Sequence, residues 1–292
     1  MLQCFVKKNF NPSFKSLNEP RLLYVSKTEE EDSIYPRVMH AHEESVEIIF
    51  IYSGKGEYFI DGKKYNVQKG DIAIFNSGIV HDEISGSDIK MGIYCCAIGN
   101  IKLSGLRKSA ITGDLDNPVF SCGSQYSAIE SVLGLMFSQL SSGSGVAEEV
   151  CHYLLMTLLS MVWNIIHKIP GQSNDSEEEM NILGKRIKNY IDKNYLEDIT
   201  LQSISDALNV SPYYLSHVFK RMTGYSPLQY ILRRRIGEAQ TLLISTDFSI
   251  TTIATKIGYN NPSHFNLLFT KNVGMSPRKY RINYITMKGK KF

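Results

Sequence analysis

Acidic residues almost vanish from the last third of this 292-residue chain. Residues 199–292 hold 13 Lys/Arg against 3 Asp/Glu, a local net charge of +10, while residues 1–198 sum to −7, so the overall +3 hides a split molecule. A segment so short of carboxylates points to a polyanionic partner, most often nucleic acid; the plainer reading is a basic solvated surface. Cysteine is sparse as well. Cys4, Cys95, Cys96, Cys122 and Cys151 make no CxxC pair and no zinc spacing, which argues against a zinc finger or a disulfide scaffold and fits a reducing compartment. The opening residues, MLQCFVKKNF, lack the long apolar run of a secretory signal. The most apolar stretch, 150–166, falls short of the ~20 residues of a membrane span and is interrupted by His152 and Asn164. It reads as a buried or dimer-forming helix. These absences predict a cytoplasmic protein without a membrane partner, and the length predicts two domains.

What is present changes character along the chain. Over residues 21–101 the pattern is strand-like. VEIIFIY (46–52) is rich in β-branched and aromatic residues and ends at Gly54 and Gly56; EYFI (57–60) follows and meets the hairpin turn Asp61-Gly62. KYNV (64–67) and IAIF (72–75) continue the series. Short strands at this spacing predict an antiparallel barrel or jelly roll. From Tyr126 helical spacing takes over, with Ile129, Val132, Leu133, Met136, Phe137 and Leu140 at steps of three and four. Residues 147–168 predict a long helix that is apolar on nearly all sides, so one surface packs on the barrel and another is free for a second subunit. Charges at Leu155 and Leu159 would then leave monomers. A polar linker is expected over 169–180, dividing a domain 1–168 from a helical domain 181–292.

The C-terminal part contains an internal repeat. SPYYLSHVFK (211–220) is echoed fifty residues on by NPSHFNLLFT (261–270), and the pairing continues from Gly224, Ser226, Pro227 and Tyr230 to Gly274, Ser276, Pro277 and Tyr280. Each copy predicts two helices and a tight turn. In the first, Thr200 caps a helix with Leu201, Ile204 and Leu208 on one face, Asn209-Val210 turns, and Ser211-Pro212 opens the next helix. There Leu215, Val218, Phe219 and Met222 point inward, leaving Tyr213, Ser216, His217, Lys220 and Arg221 outside. In the second, Ile250, Ile253, Ala254 and Ile257 precede Gly258; Asn261 caps, and Phe265, Leu268 and Phe269 pack inward, leaving Ser263, His264, Asn266, Leu267 and Lys271 outside. A helix anchored on its far side can enter a major groove and offer its N-terminal side chains to base edges. Lys220, Arg221, Lys271, Arg278 and Lys279 suit phosphates. Residues 227–245 predict one spacer helix carrying Arg233-Arg234-Arg235; at 1.5 Å per residue it spans roughly 27 Å, near one turn of DNA.

Over about residues 180–285 this arrangement resembles the DNA-binding region of AraC-family regulators. The combination of Ile-x-x-Ile-Ala-x-x-x-Gly-Tyr (250–259) and Phe-x-x-x-Val-Gly-x-Ser-Pro-x-x-Tyr-Arg (269–281) carries the resemblance. It implies base contacts from Tyr213, Ser216, His217, Ser263, His264 and Leu267. Family members often have arginine where His217 and Leu267 stand, so bidentate guanine reading is missing at both, and Leu267 suits a thymine methyl. An operator read more through its shape is expected.

The N-terminal pattern His40-Ala-His42, Glu47, Gly54 resembles the first cupin motif, and Gly70, Asn76-Ser-Gly78, His81 the second, with Asn76 in place of the usual proline. The resemblance implies that His40, His42, Glu47 and His81 converge inside the barrel. Three imidazoles and a carboxylate suit iron, manganese, zinc or nickel. The alternative is a barrel without a metal, or any other cofactor, that binds a small polar effector such as a sugar through Arg37, His40, His42, Glu47, His81 and Tyr94. Residues 1–20 would form an arm anchored by Phe5, Phe10 and Phe14. The expected molecule is thus an α+β multidomain protein with a cupin-like barrel and an all-α double helix-turn-helix domain. It is expected to be a dimeric, ligand-responsive DNA-binding regulator, with RNA polymerase as a further partner, rather than an enzyme. Two other functions compete: a cupin isomerase or dioxygenase resting on the four-residue cluster, and an interaction scaffold resting on the 147–168 helix.

Overall fold

The computed structural model describes residues 2–5, 19–31, 37–84, 90–103, 105–114, 116–168 and 178–289. Eight strands come first among them: β1 (Leu2–Phe5), β2 (Arg21–Thr28), β3 (Ser45–Ile60), β4 (Lys63–Gln68), β5 (Asp71–Phe75), β6 (His81–Ile84), β7 (Lys90–Gly99) and β8 (Val119–Ser121). All pair antiparallel in the order β1-β2-β7-β3-β5-β8, with β4 and β6 also on β3. β1 lies at the edge beside β2; Phe10 and Phe14 of the expected arm, and linker residues 169–177, lie outside the described residues.

β3 is a single strand where two were expected. Gly54 and Gly56 do not end it, because they serve close approach rather than a turn. Gly54 has φ +74°, and a Cβ there would lie 1.9 Å from the Lys90 carbonyl oxygen; one on Gly56 would lie 2.3 Å from the Met91 sulfur. With a bulge between Ile51 and Ser53, β7 follows β3 around this bend. The first half of β3 thereby pairs with β5 and the second half with β4 and β6.

Two helices cover one face of the sheet, α1 (Tyr126–Ser142) and α2 (Ala147–Lys168). Cys151, Leu155, Leu158, Val162 and Ile165 form one buried stripe of α2 against Val46, Ile48 and Phe50. Leu155 is fully buried in this core and so cannot belong to a dimer face. α2 spans the expected residues, but the apolar stretch does not fall short of a membrane span as read from 150–166: over Ala147–His167 the helix is long and apolar enough, by length and composition alone, to cross a membrane. Its opposite side exposes Tyr153 and Trp163. A second core, with Ile49, Ile51, Tyr58, Phe75, Ile93 and Cys95, fills the barrel.

The helical half comprises α3 (Glu178–Asn194), α4 (Leu201–Leu208), α5 (Pro212–Thr223), α6 (Pro227–Ser245), α7 (Ile250–Lys256), α8 (Pro262–Val273) and α9 (Pro277–Gly289). α3 starts inside the expected linker. The helix starts follow from their caps: Thr200, Ser211, Ser226, Ser249 and Asn261 each accept a backbone N–H of the following turn. Asn209, at φ 55°, makes the turn of the first copy. The third core, built on Leu215, Phe219, Tyr230, Phe265, Phe269 and Tyr280, also takes in Val38, Met39, Phe59 and Val80 from the barrel. The two halves therefore share apolar packing, where two self-contained cores were expected.

Candidate effector site and nucleic-acid interface

The barrel brings His40, His42, Glu47 and His81 together, with one ligand atom from each lying within 4.8 Å of all the others. Glu47 comes from β3 and His81 from β6, while His40 pairs with His81 through an isolated bridge. Glu47 is the hub. His81 Nε2 is 3.2 Å from its Oε2, His42 Nε2 is 3.1 Å from its Oε1, and the Tyr24 hydroxyl donates to Oε1. Burial opposes ionisation of Glu47, yet His42 and His81 hold it well below the usual carboxylate range. Burial, reinforced by His81 and Arg37, pushes His40 well below the usual imidazole value, and burial lowers His81 too. His40 Nδ1 is 3.0 Å from the Val38 carbonyl and His81 Nδ1 3.0 Å from that of Ile79. Donation there puts the proton on Nδ1 and leaves the Nε2 lone pairs inside the barrel. In that tautomer a cation or a shared proton between His81 Nε2 and Glu47 Oε2 fits their 3.2 Å separation, whereas an imidazole protonated at Nε2 donates to that oxygen directly.

Beside the cluster lies a cavity of about 60 Å³ bordered by Tyr24, Arg37, His40, Glu47, Tyr58, Phe75, His81 and Glu83, among others. Tyr94 is not among them. On β7, Ile93 and Cys95 face this cavity, while Tyr94 packs on the other side of the sheet against Tyr52 and Phe137; strand alternation puts it out of reach of the site. Asn76, the residue in place of the usual proline, is a buried tie: its amide nitrogen donates to Thr112 O at 2.9 Å and to Asp114 Oδ1 at 3.1 Å, and its oxygen accepts from Ile111 N at 2.9 Å. Tyr24, Tyr58 and Glu83 were not expected here. For Glu83 the signal existed, since His81-x-Glu83 on a strand shares one face. Burial pushes its carboxyl up to about 7.

β6 also reaches the helical half. Between His81 and Glu83, Asp82 points outward, fully buried, and accepts from Arg233 of α6 at 2.7 Å (Nε) and 2.5 Å (Nη2). Burial lifts Asp82 to about 6 against the pull of this guanidinium. Alongside, Val38 N donates to Gln240 Oε1 at 2.9 Å, and Arg37 Nη2 donates to Thr241 Oγ1 at 3.2 Å. The other two arginines of the basic triplet are structural as well. Arg234 pairs with Asp192 at 3.1 Å. Arg235 donates to the carbonyls of Tyr195 (2.6 Å), Glu197 (2.6 Å) and Gly258 (3.1 Å).

The outward residues of the repeat sit on α5 and α8. Tyr213 is 84% exposed and Leu267 67%; His217, Lys220, Arg221, Ser263, His264, Asn266 and Lys271 are also exposed, and Ser216 is half-buried. Docking of the barrel on α6 leaves these faces open.

Comparison with known proteins agrees with this two-part build. Residues 204–283 match the family described as Helix-turn-helix domain, and residues 31–95 the one described as Cupin domain. The HTH-type transcriptional regulator YdiP of Escherichia coli (strain K12) is 26% identical over 242 residues, 83% of this chain and 80% of that protein. The lactose operon transcription activator of Staphylococcus xylosus is 25% identical over 235 residues, 80% of this chain and 82% of that protein. Among solved structures, the C-terminal domain of AraT, a response regulator from Geobacillus stearothermophilus, is 36% identical, covering 36% of this chain and 88% of that one at a TM-score of 0.35. A cupin barrel joined to paired helix-turn-helix units defines a DNA-binding transcription regulator, with double-stranded DNA as its partner. In this combination of domains the chain is similar to transcriptional regulators of the AraC/XylS family.

Proposed function

We propose that this regulator is ligand-responsive: a small polar molecule in the barrel alters how α5 and α8 meet successive major grooves. One observation carries the reading. On β6, His81 and Glu83 border the cavity while Asp82 between them grips Arg233 of α6. Any ligand that shifts this strand changes the hold on the helix joining both reading units, and a switch requires such a difference in ligand affinity between the two arrangements. The similarity to the lactose operon transcription activator favours a carbohydrate effector. The division into a sensing domain 1–168 and a reading domain 181–292, dimerisation through the exposed side of α2, a cytoplasmic location, contact with RNA polymerase and the absence of catalysis belong to the same reading. A reporter strain grown on a panel of carbon sources tests it. A response in wild type that is lost in Arg233→Met, with operator binding retained, supports the route; a response that survives Arg233→Met overturns it.

A second reading of the same residues is a transition metal held by His40, His42, Glu47 and His81. The inward Nε2 lone pairs and the buried carboxylate favour it. A bound ion would supply a Lewis acid for an oxygen-bearing ligand. Elemental analysis with native mass spectrometry, on protein purified without a chelating tag, separates the two: one metal per chain that is lost in His81→Ala supports the ion, and metal-free protein rejects it.

A further inference from the structure

Two polar side chains border the barrel cavity beside the histidine cluster without belonging to it. Tyr58 and Glu83 stand directly opposite each other on β3 and β6 and border the same cavity. Both are buried, at 3% and 9% exposure. The Tyr58 hydroxyl has no hydrogen-bond partner among the described residues. The Glu83 carboxylate receives the Arg37 backbone amide, and no side-chain donor to it is found among the described residues. A buried hydroxyl left unpaired is costly, and native chains rarely keep one unless something else meets it. Side chains directly opposite on antiparallel strands lie about 5 Å apart at Cβ, close enough to grip one small group together.

Resting on the sensing role proposed above, we propose that Tyr58 and Glu83 bind a hydroxyl of a compact, uncharged polyol. The charges around the cavity select for neutrality. Arg37 borders the same space as Glu83 and disfavours a cation, while Glu83 and Glu47 together disfavour an anion. A hydroxyl can donate to the carboxylate, accept from the phenol, or do both at once. Size selects further. About 60 Å³ holds roughly four waters, which suits a molecule near the size of glycerol and requires widening for a hexose. Phe75, stacked on His81 at 4.0 Å and packed on Tyr58 at 5.6 Å, supplies an apolar wall for the carbon skeleton between the two polar ends.

The test uses the full chain and three probes of matched size: glycerol, cationic 2-aminopropane-1,3-diol and anionic glycerate. Binding is followed by ligand-observed NMR titration. Saturable glycerol binding is expected, weakened about tenfold by Tyr58→Phe and by Glu83→Gln, with both charged probes weaker than glycerol. A second readout needs no ligand: Tyr58→Phe should melt at or above the wild-type temperature, because it removes an unpaired hydroxyl. No saturable glycerol binding, a charged probe binding tightest, glycerol affinity indifferent to both substitutions, or a marked loss of melting temperature in Tyr58→Phe would each overturn the assignment. The sensing role fails separately: glycerol that binds through Tyr58 without changing operator affinity leaves the polyol site standing and removes the switch. A reporter response unaltered in both variants keeps the switch and removes the site.

Discussion

Gly237 of α6 presses so close to Met39 that a Cβ added to it would lie 2.0 Å from the Met39 carbonyl oxygen. Barrel and helix meet backbone to backbone here, and only a hydrogen fits between them. Gly237→Ala should therefore separate the two surfaces without harming α6, where alanine is the better helix former. The Val38 amide, which donates to Gln240, should lose most of its protection from hydrogen exchange, while amides in the α8 core keep theirs. Unchanged protection at Val38 would show that the interface yields without opening.

Glu83 gives a pH signature. Its carboxyl titrates at about 7 in the folded protein, against about 4.3 for an ordinary glutamate. The unfolded chain therefore binds fewer protons than the native one between those values, and stability falls as pH rises through the window. Glu83→Gln removes this cost. Urea unfolding should find the variant more stable at pH 8 by up to about 3 kcal/mol, with the gain shrinking towards pH 4.5. A gain that grows on acidification would contradict the burial origin of the shift.

On the DNA side, Lys220→Ala and Lys271→Ala should weaken binding evenly across sequences and each lower the salt slope by about one. Leu267→Ala should act differently, with a loss of about 1 kcal/mol confined to sites bearing a thymine under α8. Binding measured on a set of single-base operator variants tells these apart, and a guanine preference opposite both His217 and Leu267 would refute the assignment.

α2 predicts an oligomer and corrects the choice of residues that tests it. Tyr153→Glu with Trp163→Glu alters exposed positions and should yield folded monomers by sedimentation. Leu155→Asp, which places a charge in the sheet-facing core, should instead unfold the N-terminal half, at a cost of several kcal/mol. A folded dimer that persists in the double variant would move the interface elsewhere.

What could be read in advance was local. α6 runs Pro227–Ser245 as expected because Ser226 and Pro227 open it chemically, and Asn261-Pro262 does the same for α8. The metal-type cluster was legible because its motif spacing is tied to strand pairing. Tyr94 was misplaced because a strand reverses faces at every residue, and one position along β7 separates the cavity from the α1 side. Gly54 and Gly56 looked like a strand end because close approach and turning use the same residue type. Asp82 and Arg233, 151 positions apart, met through no pattern within either segment. The arginine triplet was legible only as charge on a spacer helix; composition records charge and is silent about which carboxylates and carbonyls receive it.

Arg235, on the helix that joins the two reading units, ties the end of α3 to the turn before α8 through three carbonyls, a bracing that suits a fixed gauge between the two reading helices. A gauge measures distance. Inserting one base pair between the two half-sites would swing the second by about 35° around the duplex, and following it would mean breaking the Arg235 ties. The operators of this regulator should then drift in base content over evolution while their length between half-sites stays constant.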